Sequence, residues 1–300
     1  MLSTGQHFMF VLIKHYVHVQ INIRLMIYPK LYKTIVLIFL LISATAVRSQ
    51  TIILANAYAH NDYWHKRPLL DALDHGFTYV EADVYLRDDK LIVAHFLPCF
   101  KKKRTLEELY LKPLLNYVEE NAKKEQPLNT GAITLMIDIK SDASKTYKAL
   151  VLLLEKYKSI LSGYEGGEIK LRKVTVVITG HKPYDLIKGE NDRIVFMDEN
   201  LKQAGNDSSR NVYPIASCKY SKLLKWKGKG EITESEIQRL AYYVTLAHKN
   251  GRKVRLWGSP ENKVVWGELL KCNVDLINTN KLNALRKFLI SDLLLVAKKG

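Results

Sequence analysis

The chain has 300 residues, 47% of them hydrophobic, and a formal net charge of +16. That length and apolar content support a full folded core. The basic surplus favours anionic partners such as phospholipid surfaces, phosphorylated substrates or nucleic acid. With no nucleic-acid motif and no aromatic-interleaved basic repeat, nucleic acid is not expected. The three cysteines, Cys99, Cys218 and Cys272, are widely spaced. They exclude a disulfide framework and leave room for one disulfide in an exported protein.

The first fifty residues read differently from the rest. A basic flank (28–33) precedes an apolar run (34–42) and a small-residue segment (43–46). That order predicts a secretory signal peptide cleaved near Ala46, with an uncleaved anchor as the alternative. Met26 is a natural start for it, and residues 1–25 read as an upstream extension. Residues 50–300 then form one domain, since no linker or repeat interrupts them. Removing residues 1–49 takes away five of the 46 basic residues and none of the 30 acidic ones, leaving +11. The densest basic spots, 101–104 and 225–229, read as solvated loops.

In chain order, 52–60 is a short apolar strand ending in AHNDY, and 68–75 a helix closed by Gly76. The strand over 79–86 has Val80, Ala82 and Val84 on one face and Glu81 and Asp83 on the other. Carboxylates about 7 Å apart on one face repel unless something positive lies between them. Asp88-Asp89 turns the chain, and the apolar run 91–94 delivers His95 to the same region. These three residues predict a divalent-metal site beside an acid/base histidine; a solvated edge strand is the alternative. Thr105 caps a helix over 105–124. A β-branched strand spans 133–140, a helix 144–161, and strands 174–180, 193–197 and 213–217. An amphipathic helix covers 235–250 and ends at Gly251. Strand 254–257, helix 261–271, strand 274–278 and helix 282–289 complete the chain.

Eight strands separated mostly by helices predict an α/β fold of the (β/α)8 TIM-barrel type. The competing doubly wound open sheet lacks a Gly-rich phosphate loop after its first strand. Barrel active sites lie at the C-terminal ends of strands. His60, Glu81, Asp83, Asp138, Lys140, Trp257 and Asn280 all fall at or near those ends.

These residues together resemble the PLC-like phosphodiesterase superfamily of phosphatidylinositol-specific phospholipases C and glycerophosphodiester phosphodiesterases. The pattern is His60 on the first strand, Glu81-x-Asp83 on the second, His95 shortly after, and Asp138 with Lys140 on the third. Within the superfamily the chain is most similar to the altered inheritance of mitochondria protein 6 group. AHNDYWHKRPLLDAL, EADVYL, RTLEELYLKPL, VRLWGSPENKVVWGELL and VDLINTNKL carry that likeness. Asn61 and Asp62 stand where glycerophosphodiesterases usually have an arginine, and Asp138 where they have Glu. The Asp-then-Lys pattern and Thr279-Asn280 look more like the sphingomyelinase D toxins.

The resemblance implies a metal-dependent phosphoric diester hydrolase acting on a phospholipid or its deacylated headgroup. Glu81, Asp83 and Asp138 would hold Mg2+ or Ca2+, offsetting charge on phosphate oxygens. His60 and His95 would act as an acid/base pair, or one as a covalent nucleophile, with a cyclic phosphate open as an intermediate. Lys140 would contact phosphate as a point charge, or only pair with Asp138. Asn61 would bind phosphate or cap the following turn, and Trp257 would wall the substrate or simply be buried. His181 is a reserve candidate; His65, His75 and His248 read as surface or loop histidines. The expected partner is a phosphodiester small molecule or phospholipid, with peripheral association at anionic membranes. Two other classes stay open: glycoside hydrolysis, which would survive chelation, and a lipid- or phosphate-binding barrel without turnover.

Overall fold

The structure is a computed structural model and describes residues 52–96, 104–123, 132–206 and 211–297. The signal-peptide region, Cys99 and the 101–103 lysines lie outside the described residues. Strands β1 (Leu54–Ala59) and β2 (Phe77–Arg87) open the sheet, and β3 (Lys90–Val93) folds back on β2. The turn between them holds Asp88 and Asp89 at φ 45° and 57°, the left-handed pair that a tight hairpin needs. Strand β4 (Ile133–Ile139) follows, then a separate hairpin of β5 (Gly163–Glu165) and β6 (Glu168–Lys170). Strands β7 (Val174–Gly180), β8 (Phe196–Asn200), β9 (Ile215–Lys219), β10 (Lys253–Trp257) and β11 (Ile277–Thr279) complete the set.

Eight of these strands pair in parallel in the order β10-β9-β8-β7-β4-β2-β1-β11. A bridge from Arg255 to Leu276, with the Leu276 N–H on the Val254 carbonyl at 3.0 Å, joins the two ends.

The eight-stranded barrel expected from the sequence is therefore present and nearly closed.

Helices α1 (Leu70–Asp74), α2 (Lys112–Ala122), α3 (Ala143–Leu154), α4 (Tyr184–Lys188), α5 (Glu234–Lys249), α6 (Lys263–Lys271) and α7 (Leu282–Ala297) connect the strands. A π turn, Glu107–Leu111, precedes α2, and the Thr105 hydroxyl accepts the Glu108 N–H at 3.2 Å, as a cap does. None of the described helices is long and apolar enough to cross a membrane.

Two apolar cores follow from strand alternation. Tyr58, Met136, Val177, Phe196, Ile215 and Leu276 fill the barrel interior. Val80, Ala82 and Val84 belong to the outer core with Leu150 and Leu154 of α3. Glu81 and Asp83 consequently face inward, as the alternation predicted.

Three strands lie later than their sequence reading: 213–217 runs at Ile215–Lys219, 274–278 at Ile277–Thr279, and a third shows the reason. The expected strand 193–197 lies later, at Phe196–Asn200. Apolarity marked Ile194 and Val195, which are buried before the strand begins. The pairing instead runs on into Asp198, Glu199 and Asn200, polar residues that an apolar-run criterion passes over. Cys218 and Cys272 are free thiols, so no disulfide joins them.

Candidate active site

Strand β2 carries Glu81 and Asp83 on its inner face, and β4 sets Asp138 beside Asp83 in register. One oxygen from each of the three carboxylates lies within 4.8 Å of the others. Three anions so close repel, and buried charge is costly without partners. Two cations offset part of that charge. Arg255 donates from Nη2 to Glu81 Oε2 at 2.9 Å and from Nε to Asn278 Oδ1 at 2.8 Å. Its guanidinium lies 4.0 Å from the centre of the Tyr58 ring. Lys140 Nζ donates to Asp138 Oδ2 at 2.6 Å and lies 3.3 Å from Asp83 Oδ2.

Each carboxylate is thus anchored through one oxygen. Asp83 Oδ2 also accepts the Tyr63 hydroxyl at 2.9 Å and His95 Nδ1 at 3.0 Å. Glu81 Oε1, Asp83 Oδ1 and Asp138 Oδ1 take no hydrogen bond from the described residues. Asp138 Oδ1 is buried as well. Three negative groups against two positive ones, with hard oxygens left over, fit a divalent cation. Gly180 keeps that space open. At φ +73°, an added Cβ would fall 2.0 Å from Asp138 Oδ1 and 2.6 Å from the Ile139 carbonyl.

Burial pushes the Asp138 carboxyl up to about 6, against the pull of Lys140. Burial works against the Lys140 charge, but Asp138 and Asp83 outweigh it and raise the ammonium above its ordinary value. Burial, then Asp83, raises the Tyr63 phenol, which keeps its proton and donates it.

The two histidines are oriented by their neighbours. Glu261 Oε1 accepts both the backbone N–H and Nδ2 of Asn280, at 2.7 and 3.0 Å. This turns Asn280 Oδ1 toward His60 Nδ1 at 3.0 Å. With a proton on Nδ1 facing that carbonyl, Nε2, 3.8 Å from Glu81 Oε2, is the ring nitrogen left open toward the carboxylate cluster. Asp83 fixes His95 in the same way through Nδ1.

Among the other predicted residues, Asn61 adopts a left-handed conformation at φ 49° and makes no cap. Its Nδ2 lies 3.1 Å from His60 Nδ1, and its Oδ1 lies 2.6 Å from the Tyr63 hydroxyl, whose one proton it shares with Asp83. Lys140 makes the salt bridge named as its alternative role. Trp257 is exposed at the end of β10 rather than buried. His181 is held by the Ser141 carbonyl at 2.9 Å, outside the carboxylate cluster.

Sequence reasoning missed Tyr63, Gly180, Arg255 and Glu261. Arg255 had a signal, a lone charge inside the apolar run of β10. Asp198 was also missed. It is buried one strand beyond Thr179, whose hydroxyl donates to it at 3.0 Å. Burial raises its carboxyl despite Lys182 and Ser217.

The model of the AIM6-like phosphodiesterase domain matches residues 47–198. Altered inheritance of mitochondria protein 6 of Eremothecium gossypii is 32% identical over 271 residues, covering 79% of this chain and 70% of the relative. The chain belongs to the AIM6-like phosphodiesterase family. The Candida glabrata protein of the same name is 30% identical over 309 residues, covering 82% of this chain and 74% of its own. The shared name states no reaction. A glycerophosphodiester phosphodiesterase from Parabacteroides distasonis shares the fold, with a TM-score of 0.51 and 16% identity over 79% of this chain and 98% of its own. The AIM6-like match spans His60, Glu81, Asp83, His95 and Asp138. Arg255, Glu261 and Asn280 lie beyond it.

Proposed function

We propose that this chain hydrolyses phosphodiesters of the phospholipid or deacylated-headgroup class, with Mg2+ or Ca2+ held by Glu81, Asp83 and Asp138. One observation carries the reading: three carboxylates converge, each with a free oxygen, between two histidines oriented through Nδ1. A bound cation would supply charge to offset that building on the phosphate oxygens. One histidine Nε2 takes the proton of the attacking hydroxyl, from water or from the substrate itself. The other gives a proton to the leaving oxygen as the P–O bond breaks. Lys140 adds a fixed positive charge beside the phosphate, and Tyr63 holds Asp83 and Asn61 in place. We also propose export directed by the N-terminal segment.

A panel of phospholipids and glycerophosphodiesters, followed by phosphorus NMR of the products, tests the reading. Cation-dependent release of a phosphomonoester or cyclic phosphate is expected. Cleavage that leaves every phosphodiester intact, or that ignores chelator, overturns it.

A further inference from the structure

Exposed aromatic side chains that cluster mark contact surfaces. Five are exposed among the described residues: Trp64, Phe96, Tyr184, Tyr242 and Trp257. All but Tyr242, which lies on α5, follow or end strands at the C-terminal mouth of the barrel. Phe96, 74% exposed, sets its ring 4.6 Å from that of His95. Trp64, 66% exposed, lies 5.7 Å from Tyr63.

Basic groups share this rim. Lys182 Nζ is 5.3 Å from the Tyr184 ring and Lys219 Nζ 5.6 Å from that of Trp257. The segment after β9 adds Lys222, Lys225, Lys227 and Lys229, all exposed. The acids of these loops are Asp62, which is buried, Asp185, Glu190, Asp192, Glu231 and Glu261, the last bound to Asn280.

We propose that this rim docks the barrel mouth on an anionic phospholipid bilayer, so that the diester cleaved is one lodged in a membrane. The substrate part of this proposal rests on the phosphodiesterase reading above. Tryptophan and tyrosine settle at the membrane interface, and lysines are drawn to an anionic leaflet. Phe96 and Trp64 flank His95 and Tyr63, so docking would place headgroups at the carboxylate cluster.

The test is co-sedimentation of the full chain with vesicles of phosphatidylcholine alone or mixed with phosphatidylserine. Wild type should bind the mixed vesicles at least tenfold more tightly, and salt should weaken that binding. Lys222→Ser/Lys225→Ser/Lys227→Ser should lose roughly a hundredfold, at about fivefold per lysine. Trp64→Ser should weaken binding while leaving turnover of soluble bis(4-nitrophenyl) phosphate unchanged. Equal binding to both vesicles, or variants that bind like wild type, overturns the proposal. Vesicle binding without any diester turnover would sink the phosphodiesterase reading and leave the docking surface standing.

Discussion

Gly180→Ala probes the space beside Asp138 more sharply than removing a ligand does. The left-handed φ costs an alanine about 1 kcal/mol. The added Cβ also meets the Ile139 carbonyl at 2.6 Å and Asp138 Oδ1 at 2.0 Å, and such overpacking costs about 1–3 kcal/mol. The sum, about 2–4 kcal/mol, lowers Tm by roughly 4–16 °C in a domain of this size. Gly251→Ala is the control, since it has φ +72° and nothing within 4 Å of its added Cβ. It should cost only the backbone strain, roughly 2–4 °C. Differential scanning fluorimetry with and without Mg2+ or Ca2+ reads both effects. Cation should stabilise wild type and Gly251→Ala but not Gly180→Ala. Equal losses in the two variants, with cation stabilisation retained in both, would refute the cradle.

Other outcomes follow from the same geometry. Arg255→Met leaves Glu81 buried without its partner and should cost about 3–5 kcal/mol by urea unfolding; an unchanged midpoint would contradict the pairing. Burial raises Asp62 from 3.8 to about 6, although the Leu69 N–H and Tyr110 hydroxyl bond to it. The folded state therefore holds this proton more tightly, and stability falls by about 2 kcal/mol as pH rises from 4 to 6, out of about 3 kcal/mol over the whole titration. Asp62→Asn should remove that slope, and a slope equal to wild type would count against it. Cation must displace the Asp138 proton, so calorimetric affinity should fall about tenfold per pH unit below 6 and level off above it. Affinity flat from pH 5 to 7 would exclude Asp138 as a ligand.

The barrel was legible because its strands are apolar runs and its chemistry sits where those runs end. His60, Glu81, Asp83, His95 and Asp138 could be read for that reason. Arg255 could not be placed: a strand buried on both faces shows little alternation, so its inward direction emerges only with the closed sheet. Gly180 looks like any strand-ending glycine until Asp138 is set beside it across β4 and β7. Glu261 acts through Asn280, 19 residues on, and nothing local announces that link. The displacement of β8 has the same origin, since its functional end is polar.

The most direct measurement is the rate of bis(4-nitrophenyl) phosphate hydrolysis by wild type, His60→Ala, His95→Ala and Glu81→Gln, in chelator and after cation is restored. The account predicts turnover only with cation, a loss of roughly 10²–10⁴-fold in each histidine variant, and no cation rescue of Glu81→Gln. Turnover that persists in chelator and in all three variants would contradict it.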